Sequence, residues 1–116
     1  MARSENEGNS SAERPLVVLS TAPDEAVAKR IALALLERRL VACVNILPGA
    51  TSLYRWEGAV QETREVLLIA KTTRDRVEAL EDALQELHPY DTPEFVVLEP
   101  EHVAPRYQAW LAGETR

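Results

Sequence analysis

A pair of long strand patterns joined by a tight turn constrains the fold of this chain more than any other feature. Residues 40–73 read LVACVNILPGATSLYRWEGAVQETREVLLIAKTT. The Glu57-Gly58 pair predicts a two-residue hairpin turn in which glycine supplies a positive φ, and Pro48-Gly49 predicts a bulge in the first arm. Strands usually hold about 5–6 residues, so arms of this length extend beyond the rest of a 116-residue domain. We therefore expect the hairpin to pair with something outside its own subunit.

Shorter patterns on both sides of the hairpin predict the remaining elements. Strands are predicted over residues 16–19 and 94–98, and helices over residues 24–39, 74–88 and 103–113. Thr21 and Asp24 stand at the spacing of a capping box before the first helix. The order β-α-β-β-α-β with a short C-terminal helix predicts an α+β, ferredoxin-like fold, in which an antiparallel sheet carries both main helices on one face.

The N-terminal segment differs in composition from the rest of the chain. Residues 1–14 are rich in Ser, Asn, Glu and Gly, and such a segment cannot offset its ordering entropy by burial. We predict a disordered tail over residues 1–14 and one folded domain over residues 15–116. The tail lacks the apolar region of a signal peptide, and no apolar run approaches the roughly 20 residues that span a bilayer. We therefore expect a cytoplasmic protein.

Charge and cysteine content exclude several classes of protein. A formal net charge of −6 argues against nucleic acid as a partner, because phosphate binding needs a clustered basic face. The same charge argues against a polybasic membrane anchor. Cys43 is the only cysteine, which excludes an internal disulfide and a CxxC motif. Among apolar neighbours in a strand, we expect Cys43 to be a buried, inert side chain.

The strand patterns conflict with a sheet that is covered on one face only. Such a sheet should alternate apolar and polar residues, whereas LVVL, VACVNIL, VLLIA and FVVL hardly alternate. Both faces must then be shielded from water, and the chain is too short to build a second layer. We therefore predict a homo-oligomer in which copies of the sheet cover one another and open strand edges pair across subunits.

Several motifs in the folded part of the chain carry a family resemblance. They are TAPDE at 21–25, ACVN at 42–45, PGATSLYRWEG at 48–58, KT at 71–72 and HPYDTPE at 88–94. In this order, over residues 16–111, they resemble the CutA divalent-cation tolerance family. The resemblance implies a cytoplasmic homotrimer of ferredoxin-like subunits that exchange strands, a role in the response to divalent metal ions such as copper, and no enzymatic activity.

The resemblance carries one residue of a copper site over to this chain, His88 in the HPY motif. A neutral imidazole can ligate copper; the alternative is a capping histidine that fixes the turn into Pro89. Relatives proposed to bind copper have a Cys where this chain has Ser20, and can have a second His where it has Leu87. We therefore expect no firm cofactor, and only weak binding of copper or another divalent cation through His88. His102 is assigned no role.

A second candidate site is a cleft beside the hairpin. Ser52, Tyr54 and Trp56 alternate along one arm and therefore share a face. The two aromatic side chains either pack against a neighbouring subunit or line an intersubunit cleft, whose predicted residues are Tyr54, Trp56, Lys71, Tyr90, Glu65 and Glu94. Apolar walls with a few charged groups are typical of small-molecule sites. Many relatives follow Trp-x-Gly with Lys, where this chain has Ala59, so that cation is absent.

Four functional hypotheses remain. The first is a non-enzymatic, metal-responsive homotrimer of the CutA type. The alternative is a PII-like trimeric sensor whose intersubunit cleft binds an organic anion through Lys71, although the chain has no Gly-rich phosphate loop. An enzyme that cleaves acyl phosphates would need an anion-binding Arg, which residues 20–23 do not offer. A structural hub that reaches its partners through the tail is the fourth.

Overall fold

The computed structural model describes residues 12–116, so most of the predicted tail lies outside the described residues. The elements are β1 (Pro15–Ala22), α1 (Glu25–Glu37), β2 (Cys43–Trp56), β3 (Ala59–Thr73), α2 (Val77–Leu87), β4 (Val96–Leu98) and α3 (Pro105–Glu114). The strands form a four-stranded antiparallel sheet in the order β2-β3-β1-β4. This arrangement confirms the predicted α+β, ferredoxin-like fold.

The long hairpin forms as predicted, with arms of 14 and 15 residues. Trp56 pairs with Ala59 across a two-residue turn, in which Glu57 has a φ of 50° and Gly58 a φ of 81°. Two positive φ values define a type I′ turn, whose twist matches that of the strands it joins. The sequence predicted the positive φ of the glycine but not that of Glu57.

The predicted bulge in the first arm is also confirmed. The pairing between β2 and β3 shifts between Leu47 and Ala50, and Gly49 has a φ of 85° there. An extra residue reverses which side chains of the bulged strand point to a given face. Beyond the bulge, the face of β2 that carries Tyr54 and Trp56 is the face that Glu65 occupies on β3.

The start of α1 differs from the prediction. Asp24 is itself the N-cap, and its carboxylate accepts a hydrogen bond of 2.8 Å from the backbone N–H of Val27. The Thr21 predicted to cap the helix is instead the seventh residue of β1, because that strand continues to Ala22. At its other end, α1 stops at Glu37, before Arg39 takes a φ of 59°.

Removing this cap tests the helix start. We expect Asp24→Ala to lower the free energy of unfolding by about 1 kcal/mol, because the N–H of Val27 loses its acceptor. Lys29→Ala, an exposed change within the same helix, should alter it by less than about 0.5 kcal/mol. Urea denaturation at one protein concentration measures both. Equal effects of the two variants would contradict the assignment of Asp24 as the cap.

The hydrophobic core lies between one face of the sheet and the helices α1 and α2. Val18 and Ala70 contribute from the sheet, Ile31 and Leu35 from α1, and Leu80 from α2. Burial alternates along β1, where even-numbered residues are buried and odd-numbered ones from Val17 to Thr21 are half-buried. The helices α1 and α2 therefore cover the same face of the sheet.

The opposite sheet face, here called the open face, is also apolar. Its side chains are cross-strand partners of one another and belong to Val17, Leu19, Leu47, Leu67, Ile69, Val96 and Leu98. In the single chain, Leu47 is 44% exposed and Leu98 is 48% exposed. An apolar surface of this kind marks an interaction site more often than a solvated face.

Candidate functional site

A cavity of about 770 Å³ lies between the hairpin and the loop that follows α2. One wall is formed by residues 51–54 and Trp56 of the first arm of the hairpin, and Glu65 lies on the second arm. Thr21 at the end of β1 and residues 90–94 of the loop complete the lining. Cavities of roughly 300–1,000 Å³ accommodate small organic molecules.

Five of the six predicted cleft residues line this cavity. They are Tyr54, Trp56, Glu65, Tyr90 and Glu94. Sequence reasoning missed Thr21 and Asp91, which also line it. The spacing between Thr21 and Asp24 placed Thr21 in a predicted capping box instead, and the only available signal for Asp91 was its position in the HPYDTPE motif.

Within the single chain, Lys71 does not line this cavity. Lys71 and Glu65 lie on the same face of β3, but six residues of strand separate them by about 20 Å. Lys71 pairs with Cys43 across the sheet, and its Nζ donates a hydrogen bond to the side-chain oxygen of Asn45. The lysine therefore belongs to the far end of the open face.

The surroundings of Cys43 also differ from the prediction. The side chain is half-buried, because β2 is an edge strand. Its Sγ lies 4.0 Å from the Nζ of Lys71, a basic neighbour that no local sequence pattern indicated. Burial first, and the nearby thiol of Cys43 second, raise the pKa of Tyr107 above its usual range.

Tyr90 and Glu65 form the central polar contact of the cavity. The hydroxyl of Tyr90 donates a hydrogen bond of 2.8 Å to Oε2 of Glu65, and Glu65 is only 9% exposed. Burial first, and then the hydrogen bond to Glu65 and its charge, raise the pKa of Tyr90 well above its usual value. The hydroxyl therefore keeps its proton at neutral pH and remains the donor in this contact.

His88 holds the loop that carries Tyr90. The residue is 7% exposed; Nδ1 of its ring accepts a hydrogen bond of 3.0 Å from the backbone N–H of Tyr90, and Nε2 lies 2.7 Å from the carbonyl oxygen of Thr21. Since Nδ1 accepts from an N–H, the ring proton of the neutral imidazole is on Nε2, which donates to that carbonyl. Both nitrogens are therefore occupied by backbone groups.

This geometry corresponds to the capping alternative for His88 and not to a free metal ligand. His88 is the C-cap residue of α2, and its own backbone N–H bonds to the carbonyl of Leu84 at 2.9 Å. Within residues 12–116, no group of three or more His, Cys, Asp or Glu side chains is arranged to hold a metal ion. A copper ion at His88 would have to displace one of the two backbone bonds of the ring.

Ser20 is a second residue that positions this loop, and the sequence did not indicate this role. Its hydroxyl donates a hydrogen bond of 2.7 Å to the carbonyl oxygen of Glu94, and the side chain is 4% exposed. The bond ties the end of the loop to β1, as His88 ties its beginning. Together the two contacts fix the wall of the cavity that carries Tyr90 and Glu94.

Removing the imidazole of His88 tests this positioning role. His88→Ala leaves the carbonyl of Thr21 and the N–H of Tyr90 without partners, and each lost partner costs about 1–3 kcal/mol. We expect the free energy of unfolding to fall by about 2–4 kcal/mol in urea denaturation. His102→Ala, which alters an exposed residue, should change it by less than about 0.5 kcal/mol. Similar small losses in both variants would contradict the role given to His88.

Comparison with known proteins places the whole folded region in one family. The family model described as CutA1 divalent ion tolerance protein matches residues 16–114. The divalent-cation tolerance protein CutA of Salmonella newport strain SL254 is 48% identical over 101 residues, which cover 87% of this chain and 88% of that protein. No described helix is long and apolar enough to cross a membrane.

Solved structures give the same result for the fold. The divalent cation tolerance protein Cut A1 of Thermus thermophilus is 48% identical, with a TM-score of 0.86 over 88% of this chain and 99% of that one. CutA of Xylella fastidiosa is 38% identical, with a TM-score of 0.86 over 88% of this chain and 98% of that one. The chain therefore belongs to the CutA1 divalent ion tolerance protein family.

Proposed function

We propose that this chain acts in divalent-cation tolerance as a non-enzymatic, cytoplasmic homotrimer. The observation that carries the assembly is the apolar open face, which includes Leu19 and Ile69 at its centre and the exposed Leu47 and Leu98 at its margins. Packing this face against other copies of the same face removes it from water. The family supports the role in tolerance, since its relatives carry that name.

The two edges of the sheet favour assembly into a closed ring rather than into a symmetric dimer. The outer strands are β2 and β4, and each presents an edge whose backbone groups can pair with another chain. Pairing β2 of one subunit with β4 of the next is a head-to-tail contact, which closes into a ring when the rotation permits. A ring of three subunits is what the family resemblance implies.

Copper binding through His88 is the more specific form of the proposal, and the bonds of the ring limit its strength. Both nitrogens already have backbone partners, so we expect a calorimetric titration with Cu²⁺ to give weak binding to the wild-type protein that is lost in His88→Ala. Binding that is the same in both proteins would contradict a copper site at His88.

The role in tolerance is tested in cells. A bacterial strain that lacks its own CutA protein is grown in graded concentrations of copper and supplied with this chain. We expect the wild-type chain to restore growth, and Ile69→Asp, which places a charge on the open face, to restore it less at equal protein level. Failure of the wild-type chain, when expressed and folded, would contradict the proposed role.

A second candidate function is that of a small-molecule receptor, similar to PII-type trimers. The observation that favours it is the cavity with the bonded pair Tyr90–Glu65 at its centre. In the proposed trimer, a neighbouring subunit would add a further wall beside the exposed Tyr54 and Trp56. The cavity lacks Lys71, so the organic anion expected from the sequence loses its predicted partner.

A further inference from the structure

The charge of the cavity walls determines which kind of molecule the cavity can hold. Glu65, Asp91 and Glu94 line it, and within the described part of the chain none of its lining residues is Lys, Arg or His. An anion that enters the cavity would meet like charges, whereas a cation would meet opposite ones.

Glu65 offers an acceptor that the protein itself does not use. The residue is 9% exposed, and its Oε2 accepts the hydrogen bond from Tyr90. Within residues 12–116, no side chain or backbone group donates to its Oε1, and no cationic side chain forms an ion pair with it. No buried side-chain nitrogen or oxygen in these residues lacks a hydrogen-bond partner, so the unbonded Oε1 is reached by solvent. It is therefore open to a ligand with positively charged N–H groups, which form the stronger hydrogen bonds to a carboxylate.

The aromatic side chains supply the second half of such a site. Tyr54 and Trp56 line the cavity and are 42% and 49% exposed in the single chain. The bulge puts both side chains on the sheet face of Glu65, so rings and carboxylate bound the same space. Aromatic faces attract ammonium and guanidinium groups through the ring quadrupole and also contact alkyl chains.

We propose that this cavity binds a small organic cation that carries primary amine or guanidinium groups. One N–H group of the ligand donates to Oε1 of Glu65, and the rings of Tyr54 and Trp56 contact the adjoining alkyl chain or a second cationic group. The proposal rests on the receptor role given above as the second candidate function and names the class of its ligand. It is independent of the role in metal tolerance.

Three probes with the same carbon chain and different charge test the proposal. They are 1,4-diaminobutane, 1,4-butanediol and succinate, each titrated calorimetrically into the full-length protein. We expect saturable binding of the diamine and none of the neutral diol or the dianion. Glu65→Gln, which keeps the shape and removes the charge, should weaken diamine binding at least tenfold. Glu62→Gln on the other face of the same strand, opposite Leu53, should leave it unchanged.

Each other outcome has a defined meaning. Failure of the diamine to bind the wild-type protein, or equal affinity in Glu65→Gln, overturns the proposal. Saturable succinate binding without diamine binding also overturns the proposal but supports the receptor role. If none of the three probes binds, both the proposal and the receptor role are overturned. The mass of the assembly, measured on the same sample, reports separately on the proposed homotrimer.

A second pair of variants covers the case in which Glu65→Gln fails to fold. Trp56→Leu removes one aromatic wall at an exposed position, and we expect diamine binding to weaken about threefold to tenfold. Trp110→Leu alters a comparably exposed tryptophan outside the cavity and should have no effect. Equal affinities in these two variants would overturn the part given to the aromatic wall.

Discussion

Ile69→Asp is expected to convert the assembled protein into a monomer. Ile69 lies near the middle of β3, on the open face, between its cross-strand partners Leu19 and Asn45. In the proposed trimer, each subunit would bury one new carboxylate in a largely apolar interface, where the neighbouring cation, Lys71, already bonds to Asn45. The desolvation of unpaired charges costs several kcal/mol for each ion. A cost of this size is enough to dissociate the assembly into single subunits at micromolar protein concentration.

Sedimentation velocity distinguishes the outcomes for this variant. Leu33→Asp serves as the matched control, because Leu33 is 62% exposed on α1, the helix that covers the opposite sheet face. We expect the control to keep the wild-type sedimentation coefficient, while Ile69→Asp sediments as one chain with its circular dichroism spectrum retained. If Ile69→Asp does not fold, Leu98→Asp at the sheet edge replaces it. A variant that folds and keeps the wild-type coefficient would contradict the role of the open face.

Ile31→Ala is expected to cause the largest loss of stability within a subunit. Ile31 is fully buried in the core cluster that joins α1 to the sheet and to Leu80 of α2. Truncation removes buried methyl groups and leaves a cavity, which together cost about 2–5 kcal/mol in well-packed cores. The helix itself is not weakened, since alanine has the highest helix propensity.

The control for this loss lies two residues away on the same helix. Leu33→Ala removes a side chain of similar size from an exposed position, so we expect a change below about 0.5 kcal/mol. Urea denaturation should be run at one protein concentration, because subunit association contributes to the apparent stability. Comparable losses in the two variants would place the core elsewhere.

Local patterns in the sequence were sufficient to predict the elements of the fold. The hairpin turn at Glu57-Gly58 and the bulge at Pro48-Gly49 depend on backbone preferences that are readable from residue type. The positive φ of Glu57 was not predicted, because it follows from matching the twist of the two strands. The predicted capping residue, Thr21, differs from the observed one, because β1 continues to Ala22. Only the observed end of this strand identifies Asp24 as the N-cap.

The candidate site depended more on long-range geometry. Tyr54 and Trp56 could be assigned to one face from strand alternation, but alternation does not report distance along a strand, and Lys71 lies about 20 Å from Glu65 within the single chain. The role of His88 depends on the carbonyl of Thr21, 67 residues earlier in the chain. No local pattern reveals such a partner, so both a capping role and a metal-ligand role stayed open for the imidazole.

Sedimentation equilibrium of the wild-type protein tests the central claim, the homotrimer built on the open face, most directly. Measured over a range of loading concentrations at neutral pH, the mass should equal three times that of one chain and stay constant down to micromolar protein. The mass of a single chain throughout this range would contradict the account, because the apolar open face would then be stable in water.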